Sequence, residues 1–425
     1  MVRAVDDMNG SNRDVLEHWF RVGVERCLPR TVLPPVLPQD PPVGRNIVLG
    51  AGKAAAAMAA VAHERLRGKT VGLVVTRYGH GETASTGNIE VVEASHPVPD
   101  VQSEVAAARM LELAAGATPD DRVLFMMSGG GSALLCAPID GVLAEKKRAV
   151  TGFLLHSGAP IQDMNCVRKH LSRIKGGGLA HAASAAELRT FAISDVVGDA
   201  LTDIASGPSV HYERDVATAI VVLEKYGYAG ARDFESAMLA ADVIDAPLHD
   251  ARVVANAAMA LAAIAREAAN QGWTPVLLGD DLEGRALDIG RAHAGIARHY
   301  RSQPGRHALI SGGELTVEVK NTVGRGGPNL EYLASLMLNL DGLAGVEAIA
   351  CDSDGIDGSE DNAGGYIGPD SLERARTLGI DPGRLLELND TYVGFEALGD
   401  LIVTGPTLTN INDIRVILVD PAQEA

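Results

Sequence analysis

Two turns rich in serine and glycine carry the residues best suited to chemistry. Each follows a short apolar run, over residues 123–127 and 308–310, which predicts a buried strand of a parallel sheet. Consecutive glycines let backbone N–H groups converge on an anion, and open α/β sheets bind ligands at strand ends. The sequence therefore predicts two anion-binding turns, with a plain tight turn as the alternative for the first. The turns comprise Ser128, Gly129, Gly130, Gly131 and Ser132, and then Ser311, Gly312, Gly313 and Glu314.

A lysine, Lys53, stands where a first predicted strand over residues 46–49 leads through Gly50, Ala51 and Gly52 into an alanine-rich helix. The N-terminus of a helix attracts anions. A lysine at this position therefore favours an anion that is bound by both the helix end and the ammonium group. An ordinary surface lysine is the alternative interpretation.

Two phosphate motifs can be tested on this stretch. A Walker loop is excluded because Ile47 and Ala54 replace its first glycine and its final Ser or Thr. A dinucleotide fingerprint fits loosely over residues 50–55, but no acidic residue follows the second strand to bind a ribose. Arg77 stands there instead, which leaves an NADP-dependent enzyme open.

A group of cations interrupts a strongly acidic chain. Arg168, Lys169, Arg173 and Lys175 fall within eight residues, inside a helix predicted over residues 162–183. Arg168 and Lys175 are seven positions apart, so both would lie on one face and approach a polyanion together. A solvated helix face is the alternative.

Carboxylates follow predicted strands in both halves of the chain. Asp195 and Asp199 come after a strand over residues 190–193, and could hold Mg²⁺ through water or, for Asp195, accept a hydroxyl proton. Asp352 and Asp354 resemble the start of a calcium loop, but the twelfth position is Ala363 rather than Glu. They predict metal or hydroxyl binding instead.

Strands that alternate with helices predict a doubly wound parallel sheet, followed by a second α/β domain. The second alternation begins at residues 252–254. Residues 315–319 alternate directly after another strand, which predicts that the second sheet is mixed. We place the boundary between domains 1–245 and 246–425. Asp100 is the predicted N-cap of a helix that ends near residue 115.

Composition narrows the functional classes. The 425 residues carry a net charge of −18, which argues against nucleic-acid and anionic-membrane partners but not against a local anion site. The four cysteines lack metal or C-x-x-C spacing, and residues 1–10 lack the apolar region of a signal peptide. We therefore expect a cytoplasmic protein with reduced thiols.

Taken in order, these motifs resemble the type II glycerate kinases, or glycerate 2-kinases, whose C-terminal part is the MOFRL domain. The resemblance runs from Gly50 to Asn412 and covers most of the chain. It rests on residues 52–53, 128–132, 167–177, 194–208, 311–314, 324–329, 352–358 and 404–410.

The resemblance implies a Rossmann-like domain and a MOFRL domain with an active-site cleft between them. It also implies ATP- and Mg²⁺-dependent phosphorylation of D-glycerate at the 2-hydroxyl; a homodimer stays open. A hydroxypyruvate reductase that uses NAD(P)H and a non-catalytic sensor of sugar phosphates or nucleotides are the alternatives.

The resemblance assigns a role to each candidate residue. Lys53, Asp195 and Arg325 would be catalytic. Substrate or phosphate would bind to Ser128, Gly129, Gly130, Gly131, Ser132, Arg168 and Lys169. The nucleotide would bind to Ser311, Gly312, Gly313, Glu314 and Asn329, and the metal to Asp199, Glu314, Asp352 and Asp354.

One departure from the family pattern concerns an arginine. Many members have Gly-Gly-Arg-Asn where this chain has Gly327, Pro328 and Asn329. Arg325 is the nearby residue that would compensate for the missing arginine.

Overall fold

The protein is described from a computed structural model that covers residues 11–81, 84–242 and 244–422. The expectation about residues 1–10 lies outside these ranges. The chain forms two compact units. The parallel-sheet unit comprises Leu28–Asn256 and Leu408–Asn410, and the mixed-sheet unit comprises the described residues up to Cys27, Ala257–Thr407 and those from Ile411 onward. Within the described ranges, no helix is long and apolar enough to cross a bilayer.

The elements before residue 257 alternate between strands and helices. The strands are β1 (Arg45–Ala51), β2 (Lys69–Arg77), β3 (Ile89–Ala94), β4 (Arg122–Met127), β5 (Glu187–Ile193) and β6 (Asp250–Ala255). The helices are α1 (Asn12–Arg26), α2 (Pro29–Val32), α3 (Ala55–Arg65), α4 (Val101–Ala115), α5 (Gly131–Leu134), α6 (Ala144–His156), α7 (Ile161–His170), α8 (Gly178–Ala182), α9 (Val216–Lys225) and α10 (Glu235–Ala240). Short 3₁₀ helices span Val197–Asp199, Ile204–Ser206 and Ala231–Phe234.

The elements after residue 256 begin with a helix. The helices are α11 (Ala257–Asn270), α12 (Ala286–Arg301), α13 (Pro328–Leu340), α14 (Ser371–Thr377), α15 (Pro382–Glu387) and α16 (Thr391–Leu398). The strands are β7 (Thr274–Gly279), β8 (Gly284–Arg285), β9 (His307–Ser311), β10 (Leu315–Thr316), β11 (Val346–Asp352), β12 (Gly364–Ile367), β13 (Leu401–Ile402) and β14 (Asp413–Val419).

The parallel-sheet unit contains a sheet in the order β3-β2-β1-β4-β5-β6, and all neighbouring strands are parallel. This order reverses direction between β1 and β4, which is where doubly wound sheets bind their ligands. The strands are apolar because both faces are covered: β4 is buried along its whole length. Ile47, Phe125 and Met110 of α4 belong to one continuous core. The predicted Rossmann-like sheet is confirmed.

The mixed-sheet unit contains a sheet in the order β13-β12-β11-β14-β9-β7. β7 and β9 are parallel, whereas the other neighbours are antiparallel. The predicted mixed sheet is confirmed, but the strand expected over residues 315–319 is wrong. Only β10 forms there, and it pairs with β8 in a separate two-stranded sheet. The N–H groups of Lys320 and Asn321 donate to the Asn389 side chain rather than to a strand.

The sequence predicts that residues 252–254 begin the second sheet, but the structure places them elsewhere. They lie in β6, the edge strand of the first sheet, where Thr190, Phe191 and Ala192 of β5 face Ala251, Arg252 and Val253. Apolar patterning predicts a strand but not its neighbour, which explains the error. Accordingly β6 belongs to the parallel-sheet unit, and α1 belongs to the mixed-sheet unit.

The helix predicted over residues 162–183 is interrupted. α7 ends at His170 and α8 begins at Gly178. Gly176 and Gly177 between them have φ values of +56° and +88°, and their N–H groups donate to the carbonyls of Ser206 and Gly207. Such φ values favour glycine and end a helix. Lys175 therefore does not share a helix face with Arg168.

Helix α1 packs on the mixed-sheet unit. The rings of Trp19 and Trp273 meet edge to face with their centroids 6.1 Å apart. A Cβ atom added to Gly23 would lie 2.8 Å from Ile264 Cδ1, which shows how closely α1 approaches α11. Helix α1 is thus part of the same unit as β14.

Candidate active site

The turn after β4 links the ends of β1 and β4. Ser128 is fully buried, and its N–H donates to the carbonyl of Ala51 at 3.0 Å. Its hydroxyl oxygen accepts a hydrogen bond from the Ala54 N–H, also at 3.0 Å. Gly130 has a φ of +80°, so the chain can turn directly into α5. The Ser128 side chain thus fixes the turn to the start of α3.

Asp195 and Asn410 lie against this turn. The amide of Asn410 donates to Asp195 Oδ2 at 2.9 Å. A Cβ atom added to Gly129 would lie 1.8 Å from that oxygen and 2.3 Å from Asn410 Nδ2. Position 129 must therefore be glycine for the carboxylate to reach the turn. Asn410 is 215 residues from Asp195 in sequence. The only sequence signal for a functional role of Asn410 is its place in a polar loop.

Lys53 and His96 lie beside the next glycine of the turn, Gly130. The Lys53 N–H donates to the Gly129 carbonyl at 2.9 Å. A Cβ atom added to Gly130 would lie 3.5 Å from Lys53 Cγ and 3.2 Å from His96 Nε2. A lysine, a histidine and a carboxylate therefore border residues 129–130, and such a set can bind an anion and accept a proton. Sequence reasoning assigned no role to His96, because isolated histidines are common.

Ser132 belongs to a hydrogen-bonded chain rather than to the border of the turn. Its hydroxyl lies 2.7 Å from that of Ser206, which donates to Asn165 Oδ1 at 3.0 Å. Asn165 in turn donates to Asp203 Oδ1 at 3.2 Å. The same carboxylate oxygen accepts from Lys169 Nζ at 3.2 Å. The charge of Lys169 is thus balanced within the fold.

Two other cations of this segment, Arg168 and Lys175, are also buried, whereas Arg173 is exposed. Lys175 Nζ donates to the carbonyls of Ser132 at 2.8 Å and Leu135 at 2.5 Å. Burial holds the pKa of Lys175 well below its usual value. Arg168, on α7, is also buried. Lys175 thus supports the residues that follow the turn.

In the mixed-sheet unit, the turn that follows β9 is held by a buried arginine. Arg415 Nη1 donates to the Gly312 carbonyl at 2.9 Å, and Nη2 donates to the Gly313 carbonyl at 3.2 Å and to Asp413. Ser311 is buried, whereas Glu314 is exposed. The sequence gives no signal for this role of Arg415, because a single arginine within a predicted strand is common.

Asn329 connects two buried carboxylates at the start of α13. Its side-chain amide donates to Asp413 Oδ1 at 2.7 Å, and its N–H donates to Asp357 Oδ1 at 3.0 Å. Burial, with the nearby Asp413 charge, raises the pKa of Asp357 to about 7 against the opposing bonds from Asn329 and Leu330. Asn329 therefore has a clear packing role.

Arg325 and the predicted metal ligands have local partners. Arg325 Nη1 lies 3.9 Å from a Glu360 oxygen. Asp352 Oδ1 accepts from the Asp354 N–H at 2.8 Å. Asp199 Oδ2 accepts from the Asn256 amide. Within residues 11–81, 84–242 and 244–422, no three His, Cys, Asp or Glu side chains gather as a metal cluster.

Comparison with known proteins finds a matching family model in each part of the chain. Residues 15–239 match the domain of unknown function DUF4147, and residues 307–413 match the MOFRL family. A protein of Agrobacterium vitis with the name "Putative hydroxypyruvate reductase" is 46% identical over 96% of this chain and 95% of its own length. The D-glycerate 2-kinase of Thermotoga maritima is 37% identical over 88% of this chain and 91% of its own length.

A solved structure agrees over nearly the whole molecule. The crystal structure of a glycerate kinase from Thermotoga maritima has a TM-score of 0.85 and 34% identity. The match covers 96% of this chain and all of that one. Sequence, fold and family models agree, and the chain belongs to the glycerate 2-kinase family, whose C-terminal part is the MOFRL domain.

Proposed function

We propose that the protein transfers the γ-phosphoryl group of ATP to the 2-hydroxyl of D-glycerate, giving 2-phosphoglycerate and ADP. The observation that carries this proposal is that Asp195 lies against Gly129 and Lys53 against Gly130 of the same turn. This turn follows β4, where the strand order reverses, the position at which such sheets bind ligands. The kinase activity named for the Thermotoga maritima relative supports the same reaction.

The residues of the turn suit phosphoryl transfer, which depends on positioning and electrostatics rather than on covalent chemistry. Lys53 stabilises negative charge on the transferring group. Asp195 orients the glycerate hydroxyl and accepts its proton, and Asn410 holds that carboxylate in place through the 2.9 Å bond. The N–H groups of Gly129 and Gly130 bind substrate oxygens, whereas the Gly131 N–H donates to the Ser128 carbonyl at 3.2 Å.

The nucleotide is assigned to the turn at Ser311, Gly312, Gly313 and Glu314, with Asn329 nearby and Arg325 as the compensating cation. Arg415 supports this assignment because it fixes the carbonyls of Gly312 and Gly313. Mg²⁺ takes few carboxylates beside phosphates, and Asp352 and Asp354 offer that donor set. Asp199 and Glu314 are the further candidate ligands. Bound Mg²⁺ would neutralise phosphate charge.

The test is product identification. Purified protein is incubated with ATP, Mg²⁺ and D-glycerate, and ³¹P and ¹H spectra locate the new phosphate ester while ADP release is followed separately. We expect an ester on carbon 2 and one ADP for each ester. Omission of D-glycerate is the control, and L-glycerate tests the configuration. An ester on carbon 3, or ADP without ester, would contradict the proposal.

Hydroxypyruvate reduction is the second candidate, and the name of the Agrobacterium vitis relative is what favours it. The local geometry supports it less well. A Cβ atom added to Gly52 would lie 2.2 Å from Ser128 Oγ, so that serine fills the space where a fingerprint glycine would admit a pyrophosphate. The Ala54 N–H at the start of α3 is also used by Ser128. Nicotinamide absorbance with hydroxypyruvate, measured with NADH and NADPH, tests this candidate directly.

A further inference from the structure

Arg168 is a buried cation whose charge nothing in the described residues balances. Its exposed fraction is 9%, yet no hydrogen bond, ion pair or ring contact of its guanidinium occurs within the described ranges. Burying an ionised group costs free energy unless a partner compensates for the lost water. A fold that keeps such a group is expected to use it for binding.

The next residue provides a contrast. Lys169 is exposed by only 3%, but its ammonium group lies 3.2 Å from Asp203 and 4.3 Å from the centre of the Tyr212 ring. Arg214, which is half-buried, donates to the carbonyls of Lys169 and Ser172. Both cations therefore have structural partners, and Arg168 differs from them in this respect.

The charged groups that interact with Arg168, Lys147 and Lys175, are cations as well. The pKa of buried Lys147 is lowered to about 8, first by burial, and then by the charges of Arg214 and Arg168. The pKa of Lys175 is lowered by burial, by Lys147 and by Arg168. Burial alone lowers the pKa of Arg168 to about 10, and no carboxylate opposes it. This positive region joins the Ser128 turn through the bond from Lys175 to the Ser132 carbonyl.

The guanidinium remains reachable. None of its nitrogen atoms is among the sealed, unpartnered side-chain atoms of the described residues, whereas Arg214 Nε and Arg415 Nε are. A planar guanidinium that is not fully sealed from solvent is suited to bind two oxygens of a carboxylate or a phosphate.

We infer that Arg168, rather than Lys169, binds an oxyanion of the substrate pair. The inference rests on the proposed function for its choice between the carboxylate of glycerate and a phosphate of ATP. Arg168 is a binding residue in this view, and the transferring group stays with Lys53.

The test compares Arg168→Met, Arg168→Lys and the neighbouring control Lys169→Met in the full-length protein. The measurements are KM and kcat for D-glycerate and for ATP, activity on neutral glyceramide, and the thermal midpoint without ligand. Arg168→Met is expected to raise a substrate KM about tenfold or more, as loss of a charged hydrogen bond does. Its ligand-free midpoint should equal or exceed that of the wild type, because an unbalanced buried charge is removed. The KM of Arg168→Lys should lie between those of the wild type and Arg168→Met, because lysine keeps the charge but not the paired N–H donors of a guanidinium.

Lys169→Met should instead lower the ligand-free midpoint, because it leaves Asp203 without its ion pair. The source of the oxyanion follows from the two KM values. A rise for D-glycerate with a smaller preference over glyceramide identifies the carboxylate, and a rise for ATP alone identifies a nucleotide phosphate. Wild-type KM values for both substrates in Arg168→Met and Arg168→Lys would overturn the inference.

A failure of the proposed function can be told apart from a failure of this inference. If the wild type does not phosphorylate D-glycerate, inorganic phosphate serves as the probe. Its stabilisation of the thermal midpoint should be present in the wild type and in Lys169→Met but absent in Arg168→Met. The same stabilisation in all three proteins, or in none of them, would overturn the inference independently of any activity.

Discussion

At position 129, the absence of a side chain leaves space for two polar groups of the candidate active site. Asp195 and Asn410 occupy the space that any Cβ atom at this position would need. We expect Gly129→Ala to displace the carboxylate and to lower kcat strongly, because a misplaced group loses its orientation towards the substrate. Gly152→Ala, in α6 with nothing near its Cβ position, is the matched control and should be neutral or slightly stabilising. Steady-state kinetics checks both, and full activity in Gly129→Ala would contradict the assigned role of Asp195.

Lys53 gives the sharpest test of the electrostatic contribution. Lys53→Met removes the cation beside Gly130 and should lower kcat roughly a hundredfold or more while the fold stays intact. Lys146→Met, the same change at an exposed position of α6, should leave kcat unchanged. Circular dichroism establishes folding in both variants. Turnover near that of the wild type in Lys53→Met would remove this residue from the mechanism.

At the residue scale, the sequence predicts the groups that follow strands but not their distant partners. Lys53, Ser128 and Asp195 stand at predicted strand ends, so parallel pairing alone brings them to one edge. Asn410 and His96 reach the same turn from loops, and no local pattern specifies such a contact.

At the scale of elements, strand and helix ends are tied by buried polar groups. Asp121, just before β4, accepts hydrogen bonds from the N–H groups of Arg45 and Thr118 and from their side chains. Burial alone would raise the pKa of Asp121, but these bonds outweigh it and lower the pKa to about 2. The start of β1 is thereby joined to the start of β4.

This linkage predicts a pH dependence of stability. Because the folded-state pKa of Asp121 is below its unfolded value, the stabilisation is present above about pH 4 and lost as pH falls towards 2. Asp121→Asn should lower the free energy of unfolding by about 2 kcal/mol at pH 7. Urea unfolding at pH 7 and pH 3 measures the difference between variant and wild type. An equal difference at both values would contradict the linkage.

Local signals predict some element ends and miss others. The predicted N-cap at Asp100 is confirmed, since its side chain accepts from the Ser103 N–H at 3.0 Å. The helix predicted over residues 162–183 is too long, because Gly176 and Gly177 donate to the carbonyls of Ser206 and Gly207 rather than within a helix. A cap is encoded within one turn of helix, whereas that break depends on a contact across the fold.

At the scale of the molecule, the fold class could be predicted, whereas the places of β6 and α1 could not. Alternating elements indicate a doubly wound sheet because parallel strands need helical crossovers. Nothing local shows that β6 belongs to the first sheet or that α1 packs on α11. Both depend on buried contacts between segments far apart in sequence.

The position of α1 predicts which unit depends on it. Trp19→Ala removes a fully buried ring and should destabilise the mixed-sheet unit by about 3–5 kcal/mol. Hydrogen exchange followed by mass spectrometry should show faster exchange in α11 and β11. Exchange in β1 and β4 of the parallel-sheet unit provides the internal comparison. Equal acceleration in β1 and β4 would show that α1 stabilises both units alike.

The same arrangement has a consequence for the protein while it is being made. Ribosomes add roughly 5–20 residues each second, so tens of seconds separate the emergence of α1 from that of α11. During this interval Leu16, Trp19 and Phe20, all buried in the finished protein, have no surface to cover them. The nascent chain thus carries an apolar N-terminal segment that chaperones can bind until the second half of translation supplies its partner.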